Sequence, residues 1–245
     1  MNQQNILRCE KLSFWMQGRN LISDLSFEIK KNEIVAVLGQ NGCGKSTLLS
    51  ACAGLIQPNS GHILIDGVDL LPLSKEEKSE RVKYLTQNLP KADGFTVSQF
   101  MTLTYSKSIM RFSNATRGHS LDESTEVALQ NFDVLHLQKR SLNQLSGGEW
   151  RRVQLARLWM QQNALFILDE PDAGLDPRQI EVLSGAIQIK AKNSGSAVIF
   201  ATHNLELAKK CAHKILCFNQ NGLLWFDSPL NPQLNRILSC YFSGL

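Results

Sequence analysis

Short runs of apolar residues, each about the length of one strand, recur along the chain and alternate with stretches of helical composition. The run at residues 33–39 is rich in β-branched residues and ends in glycine, and it predicts a buried strand followed directly by a helix over 46–52. Two further runs, at 164–168 and 196–201, predict buried strands on either side of a helical stretch over 177–192. Buried strands that alternate with helices are typical of a largely parallel α/β sheet, which is the fold class we expect.

The middle of the chain follows a different pattern. The strand signals disappear over residues 88–150, where 97–110 and 121–137 are helical in composition and 111–120 is typical of a polar loop. We therefore expect this region to form a helical subdomain inserted into an α/β core. The core would consist of residues 1–87 and 151–245, within a single domain spanning 1–245.

Composition and charge argue against several classes of protein. The net charge of +4 over 245 residues is too small to indicate a nucleic-acid-binding protein. The longest apolar runs, such as residues 34–38, are far shorter than the roughly 18–20 residues that a membrane-spanning helix needs. Residues 1–5 are polar and lack the basic and apolar regions of a signal peptide, so we expect a cytoplasmic protein.

The cysteines are scattered without a C-x-x-C pair, so neither a disulfide framework nor a zinc site is favoured. We expect reduced thiols that pack mostly as small apolar groups. The six residues are Cys9, Cys43, Cys52, Cys211, Cys217 and Cys240.

A phosphate-binding loop follows the first predicted strand, where the chain fits the pattern G-x-x-x-x-G-K-S. Its glycines let successive backbone N–H groups point at phosphate oxygens, Lys45 can reach the β and γ phosphates of a nucleotide, and the Ser46 hydroxyl can ligate Mg²⁺. The same N–H groups and Lys45 are expected to favour the thiolate of Cys43. The residues expected to bind nucleotide here are Gly39, Gln40, Asn41, Gly42, Cys43, Gly44, Lys45, Ser46 and Thr47.

Two adjacent carboxylates end the apolar run at 165–169. Asp169 is a candidate to hold Mg²⁺, directly or through water, and Glu170 lies just beyond the strand, where it can polarise a water for attack on the γ phosphate. Acidic residues after a strand are also common as simple helix caps. The phosphate loop upstream favours the catalytic interpretation.

The segment from Ser146 to Glu149 has the S-x-x-E form of a capping box ahead of a helix predicted over 150–161. A well-capped helix is the simplest interpretation. Gly147 and Gly148, however, weaken a helix start while letting the backbone approach a phosphate closely. We therefore expect a second phosphate-facing helix start.

The order of these motifs resembles that of ATP-binding-cassette (ABC) ATPases over essentially the whole chain. The resemblance implies a P-loop core with an N-terminal antiparallel β region and an inserted helical subdomain. It implies ATP hydrolysis with Mg²⁺, and a head-to-tail dimer in which Ser146, Gly147 and Gly148 contact the γ phosphate bound to the other copy.

Further roles follow from the same resemblance. His203, after the strand at 196–201, matches the switch histidine that touches the γ phosphate, although a lone histidine there is often structural. Gln87 matches the glutamine that contacts Mg²⁺ or water and couples to a partner, and Asp176 matches the aspartate that faces the other subunit. Ala173 stands where serine is usual, so one contact across the dimer would be missing.

The adenine-binding position departs from the family pattern. The usual tyrosine falls on Met16, with Trp15 adjacent. Trp15 could take over the stacking, Met16 could make a softer sulfur–aromatic contact, or Trp15 could merely cover the sheet edge. These alternatives stay open.

The resemblance implies an ATPase subunit that drives translocation by separate permease subunits, bound peripherally to the inner face of the cell membrane. The segments 73–87 and 144–153 resemble metal-chelate importers (iron-siderophore, haem and cobalamin systems), and Trp150 resembles the cobalamin type in particular. Residues 102–105 lack the Gly-Arg common in chelate importers.

The expected partners are permease subunits, a second copy of the chain and a substrate-binding protein, with no nucleic acid. Three alternatives are an exporter ATPase, a soluble ABC ATPase acting on nucleic acid or the ribosome, and an inactive regulatory cassette. The last is disfavoured because Lys45, Asp169, Glu170 and His203 are all present.

Overall fold

The computed structural model describes residues 4–16, 19–87, 89–103, 121–219 and 222–226. The strands and helices of this part, in chain order, are β1 (Asn5–Met16), β2 (Arg19–Lys30), β3 (Ile34–Leu38), α1 (Lys45–Cys52), β4 (Ser60–Ile65), β5 (Val68–Asp69), α2 (Lys75–Arg81), β6 (Val82–Leu85), α3 (Val97–Thr102), α4 (Glu123–Asn131), α5 (Gly147–Trp159), β7 (Leu165–Asp169), α6 (Pro177–Ser194), β8 (Ala197–Ala201), α7 (Leu205–Cys211), β9 (Lys214–Asn219) and β10 (Gly222–Phe226).

The chain divides into two compact units. The core unit consists of the residues up to Gln87, Asn163–Asp172 and the residues from Ser184 onward, and the helical unit consists of Asn88–Gln162 with Ala173–Leu183. The helical unit begins where the sequence pattern changes but continues past residue 150. It does so because α5 is one continuous helix that packs against α4.

A mixed sheet forms the centre of the core unit. Its strand order is β10-β9-β3-β8-β7-β6, and all neighbours are parallel except the edge pair β9 and β10. Strands β3, β7 and β8 are buried along their whole length, in agreement with their continuous apolar sequence. The predicted α/β class with a largely parallel sheet is confirmed.

An antiparallel sheet of order β2-β1-β4-β5 is the second sheet of the core unit, as the resemblance implies. Its first two strands are long and irregular, with bulges where Lys11 and Asp24 adopt left-handed backbone conformations (φ 50° at each). The hydroxyl of Ser26 accepts from the Lys11 N–H at 2.9 Å, and that of Ser13 accepts from the Asp24 N–H at 3.1 Å. These side chains replace ladder hydrogen bonds that the bulges interrupt.

The helical unit is organised around α5. Trp150 is buried, donates from Nε1 to the carbonyl of Leu89 at 2.9 Å and lies 4.9 Å from the ring of Phe100. The Arg157 guanidinium lies 4.0 Å from the centre of the same phenylalanine ring. Trp150, the aromatic residue that follows Glu149, therefore packs inside this unit.

The helix predicted over 121–137 is too long. The helix predicted over 121–137 ends at Asn131 and resumes only as a 3-10 turn at Leu135–Leu137, because Asp133 adopts a left-handed conformation (φ 53°) that interrupts it. For the helix predicted over 97–110, α3 spans Val97–Thr102, and residues 104–110 lie outside the described residues, as does the predicted loop over 111–120. Across the described residues, no helix is both long enough and apolar enough to cross a membrane.

Candidate nucleotide-binding site

The phosphate loop joins β3 to α1 in the core unit. Gly42 and Gly44 adopt left-handed backbone conformations (φ 75° and 112°), which a side chain would strain. A side chain at Gly44 would also meet the ring of Phe218 at 3.3 Å. Helix α1 begins directly after Gly44 with no side-chain cap, so its first N–H groups are available to an anion.

Lys45 lies at the first position of α1, and its ammonium group donates to the carbonyls of Gly39 and Gln40 at 2.9 Å each. Burial lowers the pKa of Lys45, and the nearby carboxylates of Glu170 and Asp169 oppose that effect. The lysine is thus held by the loop that it follows. Ser46, next in the helix, is exposed.

Asp169 ends β7 and is almost fully buried. The hydroxyl of Tyr84 donates to its Oδ2 at 3.4 Å and lies 3.2 Å from the hydroxyl of Ser50. Burial is the main cause that raises the pKa of Tyr84 to about 12, so the phenol stays protonated and keeps its donor. Sequence reasoning did not single out Tyr84, because its contact with Asp169 depends on β6 pairing with β7.

Glu170 meets two of the other candidate residues. It has a left-handed backbone conformation (φ 48°), and its N–H donates to the carbonyl of Ala201 on the neighbouring strand at 3.0 Å. Its Oε1 lies 3.0 Å from Nε2 of His203, and its Oε2 accepts from Nε2 of Gln87 at 2.7 Å. The three side chains form a cluster beside the carboxyl ends of β7 and β8.

The donors expected to hold Mg²⁺ are Ser46, Gln87 and Asp169. All offer oxygen atoms, the ligand type that this ion prefers, and Mg²⁺ commonly takes only one or two carboxylates because phosphates and water supply the rest. In the described part of the chain there is no group of three or more His, Cys, Asp or Glu residues that could hold a metal alone. This donor set suits an ion that binds together with a nucleotide.

Residues 146–149, called the signature segment from here on, lie in the helical unit at the start of α5. Ser146 and Glu149 form the predicted capping box: the Glu149 N–H donates to the serine hydroxyl at 3.2 Å, and the Ser146 N–H donates to the carboxylate at 2.7 Å. A side chain at Gly148 would come within 2.7 Å of the Gly174 carbonyl, so close packing explains this glycine. Around Gly147 the space is open, and packing does not explain it.

Asp176 also lies in the helical unit, just before α6. Its carboxylate accepts from the Gln179 N–H at 2.9 Å, and the Gln179 side chain accepts from the Asp176 N–H at 3.1 Å. Within this chain Asp176 therefore caps a helix. The described contacts give it no nucleotide-facing role.

One of the two residues that could contact the adenine base is exposed to solvent. Trp15 is 62% exposed, and its backbone N–H donates to the side chain of Asn59 at 2.7 Å. The side chain of Met16 lies outside the described part of the structure. An exposed indole ring can stack on a base or cover a sheet edge.

The thiolate predicted at Cys43 is not favoured in the structure. Its side chain is half-buried, and burial raises the pKa of its thiol more than Lys45 and two backbone N–H groups lower it. The thiol form is therefore favoured instead of the predicted thiolate, because removal of water outweighs the positive surroundings. The other described cysteines are buried, and in this part of the chain all five are free thiols.

A glycine-rich loop between a buried strand and a helix, with a carboxylate at the end of a parallel strand, defines a P-loop nucleoside triphosphatase. The family model described as ABC transporter matches residues 22–173. The chain belongs to the ABC transporter family, and it is an ATP-binding subunit with ATPase activity.

Individual relatives agree with this assignment. The vitamin B12 import ATP-binding protein BtuD of Vibrio atlanticus is 37% identical over 210 residues, which cover 81% of this chain and 79% of that protein. An ABC transporter assigned to the metal-chelate type, in an inward-facing conformation, matches with a TM-score of 0.75 and 25% identity over 98% of this chain and 89% of the other. The protein cbiO1 of Clostridium perfringens, part of the complex cbiONQ, matches with a TM-score of 0.74 and 25% identity over 98% and 95%.

Proposed function

We propose that Glu170 is the general base of ATP hydrolysis in this chain. The observation that carries the proposal is the cluster in which Gln87 and His203 both contact the Glu170 carboxylate, beside the strand end that holds Asp169. An ionised glutamate can accept a proton from a water molecule directed at the γ phosphate. His203 would orient that carboxylate and water, and Lys45 would bind the β and γ phosphates.

The release of Gln87 is part of this proposal. In the structure its amide donates to Glu170, a contact that occupies one of the two oxygens of the base. When Mg²⁺ and ATP bind, Ser46, Asp169 and Gln87 would hold the ion, which neutralises phosphate charge and so favours attack. Gln87 would then turn from Glu170 and leave that oxygen to accept the proton.

The signature segment would serve the nucleotide of a second copy. The open space at Gly147 and the exposed Ser146 support contact with a phosphate from outside the chain. Two copies arranged head to tail would then form two sites, each with the phosphate loop of one copy and the signature of the other. Asp176 would face the partner, and Trp15 or Met16 would contact adenine.

The ATPase would drive transport by separate permease subunits, to which it binds at the inner face of the membrane. Its single ATPase domain would combine the α/β core with the helical signature region. The relatives support this role, since one is named for vitamin B12 import and another belongs to the complex cbiONQ. We propose import of a metal chelate of the cobalamin or iron-siderophore class, delivered by a substrate-binding protein.

Reconstitution tests this function. The chain would be purified with its permease, placed in liposomes and assayed for ATP-dependent uptake of labelled cobalamin and of an iron chelate. We expect uptake of one of the two, and its loss in Glu170→Gln. ATP hydrolysis without uptake of either compound would reject the proposed substrate class, and ATP hydrolysis unaffected by Glu170→Gln would reject the proposed base.

A further inference from the structure

A second link joins the loops that carry Glu170 and His203. The Thr202 hydroxyl oxygen lies 2.9 Å from each carboxylate oxygen of Asp172. It also accepts from the Asn204 N–H at 2.9 Å. Because a hydroxyl has one hydrogen and two lone pairs, Thr202 donates to Asp172 while it accepts from Asn204.

The residues on both sides of His203 in the chain take part in this link. Thr202 and Asn204 are its two neighbours in the chain, and both are fixed: the Thr202 N–H donates to the carbonyl of Val37 at 3.2 Å, and the Asn204 side chain caps α7 by accepting from the Leu207 N–H at 3.0 Å. Thr202 is fully buried. The backbone on both sides of the histidine is therefore held in one place.

The other end of the link is fixed to the Glu170 loop. Asp172 follows Glu170 after a single proline, and the Glu170 N–H donates to the carbonyl of Ala201. The Asp172–Thr202 hydrogen bond and the Glu170–His203 contact thus run side by side between the same two loops. A shift of either loop would change the 3.0 Å distance between Glu170 Oε1 and His203 Nε2.

An acidic residue at position 172 destabilises the folded protein more than a neutral residue would. Burial raises the pKa of its carboxyl, Glu170 raises it further, and the hydrogen bond from Thr202 is the main cause that lowers it. Keeping an acidic group beside the Glu170 carboxylate costs free energy that a neutral residue would not. The contact with Thr202 accounts for an acceptor at this position.

We propose that Asp172 is a positioning residue, which through the Thr202 hydroxyl holds His203 against Glu170 for ATP hydrolysis. The inference rests on the proposed function, because it assumes that Glu170 and His203 act on the attacking water. Asp172 itself touches neither water nor nucleotide in this scheme. Its effect is on the geometry of the reacting groups alone.

Two removals and two conservative changes test the link. Asp172→Ala removes the acceptor and Thr202→Val removes the donor, whereas Asp172→Asn keeps an acceptor oxygen and Thr202→Ser keeps the hydroxyl. We expect kcat to fall about tenfold in each removal variant, the value of one lost hydrogen bond, and to recover in each conservative variant. The KM for ATP should change less than about twofold, because the contact matters in the transition state and not in ATP binding.

A double variant and a spectroscopic readout separate positioning from general damage. Asp172→Ala combined with Thr202→Val should lose no more kcat than either change alone, because both remove the same interaction. In the nucleotide-free protein, the ring NMR resonances of His203, assigned with His203→Gln, should shift in the two removal variants and stay in place in the two conservative ones.

The outcomes distinguish this inference from the proposed function. If Glu170→Gln and His203→Gln both retain full kcat, the proposed function fails. If those two variants are inactive while Asp172→Ala and Thr202→Val keep normal kcat and unchanged His203 resonances, the positioning role is overturned. Should Asp172→Ala not fold, an Asp172→Asn variant as impaired as Thr202→Val would overturn it too.

Discussion

Glu170 is the residue on which the proposed chemistry depends most, because its carboxylate is the meeting point of the cluster. Its left-handed backbone conformation is uncommon for a residue with a side chain. That conformation brings the carboxylate to His203 on one side and Gln87 on the other. Strain of this kind persists where the surrounding contacts hold it, and it is common at active sites.

Glu170→Gln keeps the size of this side chain and much of its hydrogen bonding but removes its basicity. ATP should still bind with near-normal affinity, while hydrolysis should fall by roughly 10²–10⁴-fold, the usual share of a general base. Affinity measured by titration calorimetry and turnover measured by phosphate release check the two parts separately. Glu206→Gln, at an exposed glutamate in the first turn of α7, is the matched control and should be fully active.

Cys43 gives a prediction with a definite pH dependence. The raised pKa of its thiol lowers the thiolate fraction at neutral pH, and only the thiolate reacts with a maleimide. Alkylation should therefore be slower than for an exposed cysteine. As long as the pH is below the thiol pKa, the rate should rise about tenfold for each unit by which the pH is increased. MgATP should slow the reaction, since the thiol lies in the phosphate loop.

The measurement is loss of ATPase activity, with mass-spectrometric mapping of the labelled peptide. Cys43→Ala should be active and resistant to the reagent. Equal inactivation of the Cys43→Ala protein would mean that another cysteine carries the effect.

The residues of the candidate site could be predicted from the sequence to different degrees. Lys45 and Glu170 follow from motif spacing, because Lys45 belongs to a glycine-rich loop after one buried strand and Glu170 lies directly beyond another. Tyr84 and Asp172 did not, since their partners Asp169 and Thr202 are 85 and 30 residues away. Contacts over such separations depend on strand order, which a single sequence does not determine. The thiol of Cys43 was misjudged because burial is a property of the folded chain.

At the scale of elements, two helices begin with nearly the same capping box. In α2 the Glu77 N–H donates to the Ser74 hydroxyl at 3.2 Å, the same distance as between Glu149 and Ser146 in α5. The first is an ordinary cap in the core unit, and the second is the proposed phosphate contact. Comparing substitutions at Ser74 and Ser146 therefore distinguishes an effect on helix capping from an effect on nucleotide recognition.

Ser146→Ala should destabilise the protein by about 1 kcal/mol through the lost cap, and it should also weaken ATP-driven dimerisation. Ser74→Ala should lower the melting temperature comparably but leave dimerisation unchanged. Thermal unfolding and size-exclusion chromatography of the Glu170→Gln background with ATP measure the two effects. Equal dimerisation in both variants would leave Ser146 as a cap only.

The elements themselves were predicted unevenly. Strands β3, β7 and β8 were located to within one or two residues, because continuous apolar runs flanked by glycine or acidic residues define them. The bulges at Lys11 and Asp24 were missed, since lysine gives no signal for a left-handed conformation and the preference of aspartate for it is too weak to locate one. The end of α4 was also missed, because Asp133 carries no local signal for the break that it makes.

At the scale of the whole molecule, the residues proposed to act on one nucleotide are divided between the two units. The phosphate loop, Asp169, Glu170 and His203 belong to the core unit, and Ser146 with Gly147 belongs to the helical unit. The central claim is that a working site takes the first set from one copy and the second set from another. A symmetric head-to-tail dimer then has two such sites.

Mixing two inactive variants tests this claim most directly. Lys45→Ala disables the phosphate loop and Ser146→Arg disables the signature, so each protein alone should hydrolyse almost no ATP. In a mixed dimer, the intact loop of the Ser146→Arg copy meets the intact signature of the Lys45→Ala copy. An equimolar mixture should then recover toward about a quarter of wild-type turnover, since about half of the dimers are mixed and each has one complete site.

The decisive measurement is the turnover of this mixture, with two different affinity tags to show that mixed dimers form. Turnover well above the sum of the separate proteins is the predicted result. Turnover equal to that sum, in a sample where both tags co-purify, would contradict a site shared between two copies.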